Sequence, residues 1–306
     1  MKIKAPRNKT IELSDKEVNT LSKEAIKLLA KVSSDFVLNK IIHQDALKAL
    51  DCLPAGSVDL MIVDPPYNLT KVFGSKTFKE RDFDEYRKWF DKWLKKTVRV
   101  LKDDASVYIC SDWRTSIIIP QVACEYFVLQ NRISWEREKG RSANNNWKNC
   151  LEDVWFFTKS DKYKFNLDAV KVQRPVLAPY RDEKGQPKDW EDDGDKKLRY
   201  TSPSNIWTDI SIPFWSMPEN TNHPTQKPEK LIAKLILASS DKGDVVLDPF
   251  VGSGTTAVVA RKLSRNFIGI EQEKEYVALS LKRLKMAEGN KEIQGFEDGI
   301  FKARNS

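Results

Sequence analysis

Residues 58–67 read VDLMIVDPPY and residues 244–254 read DVVLDPFVGSG, two short apolar runs that each break off at an aspartate followed by a proline. This shared ending restricts the fold more than any other feature of the chain. A short run rich in Val, Ile and Leu, with little polar alternation, has the character of a strand buried on both faces. Such strands belong to parallel sheets covered by helices on either side. Proline lacks a backbone N–H and fixes φ, so Pro65 ends the ladder and stiffens the exit from the sheet. Asp64 and Asp248 are therefore expected at strand carboxyl ends, where open α/β sheets place their ligands. Taken alone, DPPY reads equally well as a turn with a structural tyrosine, and the rest of the chain has to decide.

The rest of the chain supplies the sheet. From Phe36, strand-like and helix-like stretches alternate: FVLNKIIHQD reads as a strand and DALKALDCL as a short helix before the first run. EYRKWFDKWLKKTVRVL follows it, with apolar and aromatic residues at helical spacing. SVYICSD is the next strand, and TSIIIPQVACEYF is helical, with Pro120 kinking or breaking it. RISWERE and DVWFFTKS read as two late strands flanking the polar loop GRSANNNWKN. The alternation stops between about 160 and 222, where YRDEKGQPKDWEDDGDKK is charged and rich in turn residues, as in an inserted module. It resumes with EKLIAKLILASS (helix), DVVLDPF (strand), TTAVVARKL (helix), NFIGIE (strand) and EYVALSLKRLKMA (helix). Residues 1–34 form a Lys-rich extension whose short helical pattern opens on Ser14 and Glu17 as a capping box, and residues 287–306 read as a loosely attached tail. The expected organisation is thus an extension (1–34), a first α/β half (35–159), an insertion (160–222), a second α/β half (223–286) and the tail.

Composition narrows the chemistry. Four scattered cysteines with no CxxC pair, and only two histidines, argue against a zinc site, a disulfide framework or thiol and serine hydrolysis. No apolar stretch approaches the roughly 20 residues that span a bilayer, and residues 1–17 have no secretory h-region, so a cytoplasmic location is expected. A net charge of +8 suits a polyanionic partner, nucleic acid being the usual one, although many basic proteins bind none.

The second apolar run continues into Gly252-Ser253-Gly254 and then a helix. A GxG turn lets backbone approach a ligand closely, and the helix start offers free N–H groups. Glu271 closes the following strand 17 residues after Gly254, where an acid of a βαβ unit hydrogen-bonds a ribose diol. No Gly-Lys-Ser/Thr follows, so the turn is not a P-loop.

Asp64-Pro65-Pro66-Tyr67, followed at a distance by Asp248-Pro249-Phe250-x-Gly252-Ser253-Gly254-Thr255-Thr256, resembles the amino-methylating DNA methyltransferases. A third stretch, His223-Pro224-Thr225-Gln226-Lys227-Pro228, resembles the segment that precedes the cofactor strand in that family. The order of the motifs matches the β class, and the resemblance covers about residues 36 to 285. It implies an α/β fold with a Rossmann-like seven-stranded mixed sheet, circularly permuted, in which residues 160–222 are a target-recognition insertion. It also implies S-adenosylmethionine as cofactor and base flipping in double-stranded DNA. A homodimer and a cognate restriction endonuclease are further partners that it leaves open.

The resemblance also distributes roles. Asp64 and the Pro65 carbonyl would accept the two N–H hydrogens of the target amine, Pro66 would add rigidity, and Tyr67 would stack on the flipped base. Phe250, Gly252, Ser253, Gly254 and Thr255 would surround the methionine part of the cofactor, with Asp248 near its ammonium. Glu271 would take the ribose hydroxyls, and Thr225 and Lys227 the carboxylate end. Asp45 matches an acid near the adenine or target pocket but reads equally as a helix N-cap, and His223 is either a cofactor contact or a structural hydrogen-bonder. Arg141, Asn144, Asn145, Asn146 and Trp147 would contact DNA, since Asn pairs with adenine edges and Arg with guanine or phosphate; a plain polar loop is the alternative.

The acid at Asp64 favours adenine N6 over cytosine N4, whose enzymes more often carry Ser there. RNA or protein amide methyltransferases usually begin the motif with Asn. A silent nucleic-acid-binding subunit would not need an intact DPPY and GSG.

Overall fold

The computed structural model describes residues 5–141, 144–176, 180–186, 188, 190–192 and 197–302. Ser14 caps α1 (Asp15–Leu21) as a complete capping box, its own N–H donating to the Glu17 carboxylate at 2.8 Å. One helical turn, α2 (Ser34–Val37), leads through Asn39, in left-handed backbone at φ 61, into β1 (Lys40–His43). After α3 (Ala46–Cys52) comes β2 (Val58–Val63), and a small hairpin of β3 (Lys71–Phe73) and β4 (Lys76–Phe78) precedes α4 (Phe83–Val98). The strand β5 (Leu101–Asp112) is followed by a 3-10 turn at Thr115–Ile117 and by α5 (Ile119–Ala123), so Pro120 marks a break and sits in the first turn of the second piece. The long strands β6 (Val128–Arg141) and β7 (Asn149–Thr158) form an antiparallel hairpin. Short strands β8 (Val172–Pro175), β9 (Glu191–Asp192), β10 (Lys197–Thr201) and β11 (Ile206–Trp207) occupy the expected insertion. Regular alternation returns with α6 (Glu229–Ser239), β12 (Val245–Asp248), α7 (Thr255–Lys262), β13 (Asn266–Glu271) and α8 (Lys274–Gly289), before β14 (Phe296–Glu297) and β15 (Ile300–Phe301).

The main sheet has the order β1-β13-β12-β2-β5-β7-β6-β11. Its first five strands are parallel, β7 runs antiparallel to both β5 and β6, and β11 adds two residues parallel to β6. The sheet is the expected seven-stranded mixed one, with β11 as an eighth, short edge member.

Burial explains the apolar runs. In β2, Leu60 and Ile62 pack into the core beneath α6, α7 and α8, while Met61 and Val63 pack into the opposite core beneath α3, α4 and α5. Alternate side chains thus enter opposite layers, and neither face tolerates polar alternation. Because β13, β12 and β2 are neighbours, their carboxyl ends bring Glu271, Asp248 and Asp64 to one edge of the sheet.

Three local expectations change. FVLNKIIHQD is a strand only from Lys40, because Ser33 and Asp35 begin a helical turn that buries Val37, and Asn39 then reverses the chain. The pattern after Ser14 stops being α-helical at Leu21, because Ile26 bridges Ile42 at the sheet edge. The tail is anchored as far as Lys302: β15 pairs with β14 and β8, and Ile293 and Phe301 are buried. With β10 and β9 these strands make a second five-stranded sheet, so the end of the chain belongs to the same module as the insertion.

Candidate active site

The strand ends open into a cavity of about 330 Å³. Asp64, Pro65, Pro66 and Tyr67 form one part of its wall, and the tetrapeptide is anchored on both sides. Tyr86 of α4 donates its hydroxyl to the Pro66 carbonyl at 2.9 Å. Buried Asn68 bridges to the Arg81 backbone through its side-chain amide and donates its own N–H to the Thr115 hydroxyl oxygen. Rigidity there comes from these anchors as well as from the two prolines.

The Asp64 carboxylate is asymmetric. Its Oδ2 accepts from the Lys227 ammonium at 2.6 Å, whereas Oδ1 is buried without a partner and belongs to a cavity-lining side chain. Lys227 also donates to the Tyr67 hydroxyl at 3.0 Å and lies 3.3 Å from Glu152. Burial works against the ammonium, but Asp64 and Glu152 outweigh it and hold the Lys227 pKa above the ordinary lysine value. Burial, reinforced by the same two carboxylates, keeps the Tyr67 phenol protonated well past its usual range. Lys227, expected at the carboxylate end of the cofactor, lines the cavity and directs its ammonium to Asp64 and Tyr67 of the tetrapeptide.

The opposite wall is made by the second motif. Gly252 has φ 51 and Gly254 φ 87, left-handed conformations that suit glycine. A Cβ on Gly252 would sit 2.8 Å from His223 Nε2, and one on Gly254 would run into Ser280. Gly252, Ser253 and Thr255 line the cavity, but Gly254 does not, and its part is to let the turn pack on α8 and start α7. Arg283 of α8 holds the turn from behind through the Ser253 carbonyl and the Thr255 hydroxyl.

Asp248 accepts from Phe250 N at 3.0 Å and from the Thr256 hydroxyl at 2.6 Å, so it braces the turn while facing the cavity. Glu271 accepts from Gly252 N at 3.0 Å and Glu273 N at 2.7 Å. Burial is the main cause that pushes both acids up, each to about 7. Phe250 lies against Trp93 and Trp89 of α4, which with Phe78 give the cavity an aromatic side. Asp45 is the expected N-cap of α3, accepting from Lys48 N, and it also lines the cavity. His223 accepts from Thr225 N at 3.3 Å and also lines the cavity, and burial depresses its pKa to about 3, so the ring is neutral.

The β3–β4 hairpin covers this end. Ser75 donates to Glu273 from both its N–H and its hydroxyl, and Gly74 N donates to the Tyr276 hydroxyl. Sequence reasoning missed Glu273, Tyr276 and Glu152. The two around the hairpin carry no motif, and Glu152 sits in a strand whose pattern only announced burial.

Asn144, Asn145, Asn146 and Trp147 are exposed at the tip of the β6–β7 hairpin, and Arg141 is the last residue of β6, paired with Asn149. They stand apart from the cavity wall, and Ser142 and Ala143 lie outside the described residues.

A doubly wound sheet with a glycine turn, a ribose-type acid and an acid-proline tetrapeptide converging on one cavity defines a nucleotide-cofactor enzyme of the α/β type. The chain belongs to the DNA methylase family, which matches residues 58–282. It is 38% identical to the DNA adenine methyltransferase YhdJ of Escherichia coli over 81% of this chain and 83% of that protein. It is 34% identical to the type II methyltransferase M.HpaI of Haemophilus parainfluenzae, over 84% of this chain and 76% of that one. Among solved structures, M1.HpyAVI in its SAM complex is 26% identical, with a TM-score of 0.54 over 80% of this chain and 98% of that chain. The cytosine-N4-specific PvuII DNA methyltransferase shares the fold, at 23% identity and a TM-score of 0.59 over 80% of this chain and 85% of that chain.

Proposed function

We infer that this protein is a site-specific DNA methyltransferase that moves a methyl group from S-adenosylmethionine to the N6 amine of adenine. Membership of the DNA methylase family and the resemblance to adenine-specific and type II enzymes support that reading. The observation that carries the chemistry is the divided Asp64 carboxylate, with one oxygen saturated by Lys227 and the other buried and unpartnered in the cavity wall.

The residues fit the cofactor. Glu271 has both oxygens oriented by backbone N–H groups, as recognition of a ribose diol needs, and Phe250 with its tryptophan neighbours offers an apolar face. Asp248, Gly252, Ser253 and Thr255 would hold the methionine part, with Thr225, His223 and Asp45 completing the wall. When bound, S-adenosylmethionine supplies an electrophilic methyl on its sulfonium.

The target amine is a poor nucleophile because its lone pair is delocalised into the adenine ring. Asp64 Oδ1 and the Pro65 carbonyl accept its two N–H hydrogens, which draws the nitrogen toward tetrahedral geometry and frees the lone pair. Positioning and electrostatics carry the catalysis. Tyr67 stacks on a base flipped out of duplex DNA, offsetting part of the few kcal/mol that flipping costs. The exposed hairpin tip, Asn144 to Trp147 with Arg141 at its base, contacts DNA, and the 160–222 module reads the target sequence. A cognate endonuclease and a homodimer fit a type II system. Among the described residues no helix is long and apolar enough to cross a membrane.

The test is nucleoside analysis of DNA from a host that lacks adenine methylation and expresses this chain. N6-methyladenine should accumulate at one sequence. N4-methylcytosine in its place would overturn the adenine assignment.

A further inference from the structure

Glu152 belongs to no motif, yet it stands at the centre of the buried charges around the tetrapeptide. It lies on β7, opposite Trp135 of β6 and Asp112 of β5, and is buried. Its Oε2 accepts from the Tyr67 hydroxyl at 3.3 Å and lies 3.3 Å from the Lys227 ammonium. Its Oε1 accepts from Arg137 of β6 at 2.6 Å. Lys227 in turn donates to Asp64 and Tyr67. Asp64 and Glu152 therefore balance Lys227 and Arg137, two charges of each sign in one connected network.

We propose that Glu152 is a positioning residue for methyl transfer: through Tyr67 and Lys227 it sets the aromatic ring and the free Asp64 oxygen, and through Arg137 it ties them to the β6–β7 hairpin. The proposal rests on the methyl-transfer reading above.

The geometry supplies the reasons. A tyrosine ring on a short turn can rotate about its side-chain bonds, and a stacking platform needs one orientation. The hydroxyl is fixed at two points, donating to Glu152 and accepting from Lys227. The phenol stays protonated, so the donation to Glu152 persists across the working range. Lys227 occupies Asp64 Oδ2 and so leaves Oδ1 for the substrate, while the Glu152 carboxylate lies 3.3 Å from the same ammonium. Removing one member of a buried, compensated network strands the charge of its partners. Arg137 lies on the strand that leads out to Trp147, so displacement of the hairpin would reach Tyr67 through a single carboxylate.

The experiment compares wild type with Glu152→Ala, Glu152→Gln, Tyr67→Phe and the Tyr67→Phe/Glu152→Ala double variant. It measures single-turnover transfer from tritiated S-adenosylmethionine to plasmid DNA from a methylation-deficient host, with cofactor Kd and Tm measured alongside. Glu152→Ala should slow transfer by about tenfold or more while cofactor Kd stays within about threefold. Glu152→Gln, which keeps an acceptor for the Tyr67 hydroxyl, should recover part of the rate. The double variant should be no slower than the slower single one, because Glu152 acts through that hydroxyl. Wild-type rates in Glu152→Ala, or losses that multiply in the double variant, would overturn the proposal while leaving the methyl-transfer reading intact. A wild-type protein that binds cofactor but transfers nothing to DNA would overturn that reading and this inference with it.

Discussion

Asp64 has one oxygen paired with Lys227 and one buried without a partner, and its proposed role rests on the second, which makes its removal informative. Asp64→Ala takes away the proposed acceptor for the target amine but leaves the wall formed by Gly252, Ser253 and Phe250 in place. Methyl transfer should fall at least about a thousandfold with cofactor Kd within a few-fold, as measured by rapid quench and calorimetry. Gly252→Val should do the reverse. Its φ of 51 disfavours a β-branched residue, and its Cβ would meet His223 Nε2 at 2.8 Å, so cofactor binding should be lost. Normal calorimetric binding by that variant would remove the turn from the cofactor site. Glu271 gives a pH signature. Burial raises it from an ordinary 4.5 to about 7, so the folded protein holds this proton more tightly than the unfolded chain does. Its contribution to stability is full below about 4.5 and disappears as pH rises through about 7. The Tm of cofactor-free protein should therefore decline between pH 4.5 and about 7, and the decline should be shallower in Glu271→Gln. Equal slopes would show that Glu271 titrates normally.

Among the elements, the β6–β7 hairpin yields the most direct prediction. Trp147 is 92% exposed at its tip, an unusual place for so large an apolar ring in a chain that has ample core to receive it. Trp147→Ala should weaken DNA binding by about tenfold, the order of one lost stacking contact, without changing cofactor affinity. Fluorescence anisotropy with labelled duplex measures this, and unchanged affinity would make the tip an ordinary loop. Elements were legible where a single local rule dominated. The run ending at Val63 could only be a strand covered on both sides, and Ser14 with Glu17 could only open a helix. They were not legible where tertiary pairing decided. Ile26 leaves helical backbone to bridge Ile42, and Phe301 joins β8 across more than a hundred residues of chain. The site followed the same division. Asp64, Gly252 and Glu271 announce themselves by position relative to strand ends, whereas the pairing of Lys227 with Asp64 joins residues 163 apart and leaves no trace in spacing.

At the scale of the whole molecule, the module proposed to read the target sequence is anchored on α6, a helix of the main fold. The small sheet β14-β15-β8-β10-β9 unites the 160–222 insertion with the tail. Lys230, fully buried on α6, donates to the Asp209 carbonyl at 3.0 Å and to the Lys302 carbonyl at 2.6 Å. Lys234, one turn on, reaches the Asp209 carboxylate and sits near the Trp207 and Phe301 rings. Loops and small modules projecting from a rigid sheet can vary without disturbing the site they flank. An exchange of residues 160–222 with a relative of different specificity should therefore be made together with residues 290–302. Such a chimera should methylate the donor's sequence with the recipient's chemistry, read by modification-sensitive sequencing of host DNA. Exchange of 160–222 alone should lower Tm, because Lys230 and Lys234 would face mismatched partners while the recipient's Phe301 lost its strand neighbour. If the full exchange is active and still marks the recipient's sequence, readout lies outside the module. The segment between Gly140 and Asn149 then becomes the place to exchange next, since it connects β6 to β7, whose Arg137 and Glu152 link the hairpin to Tyr67.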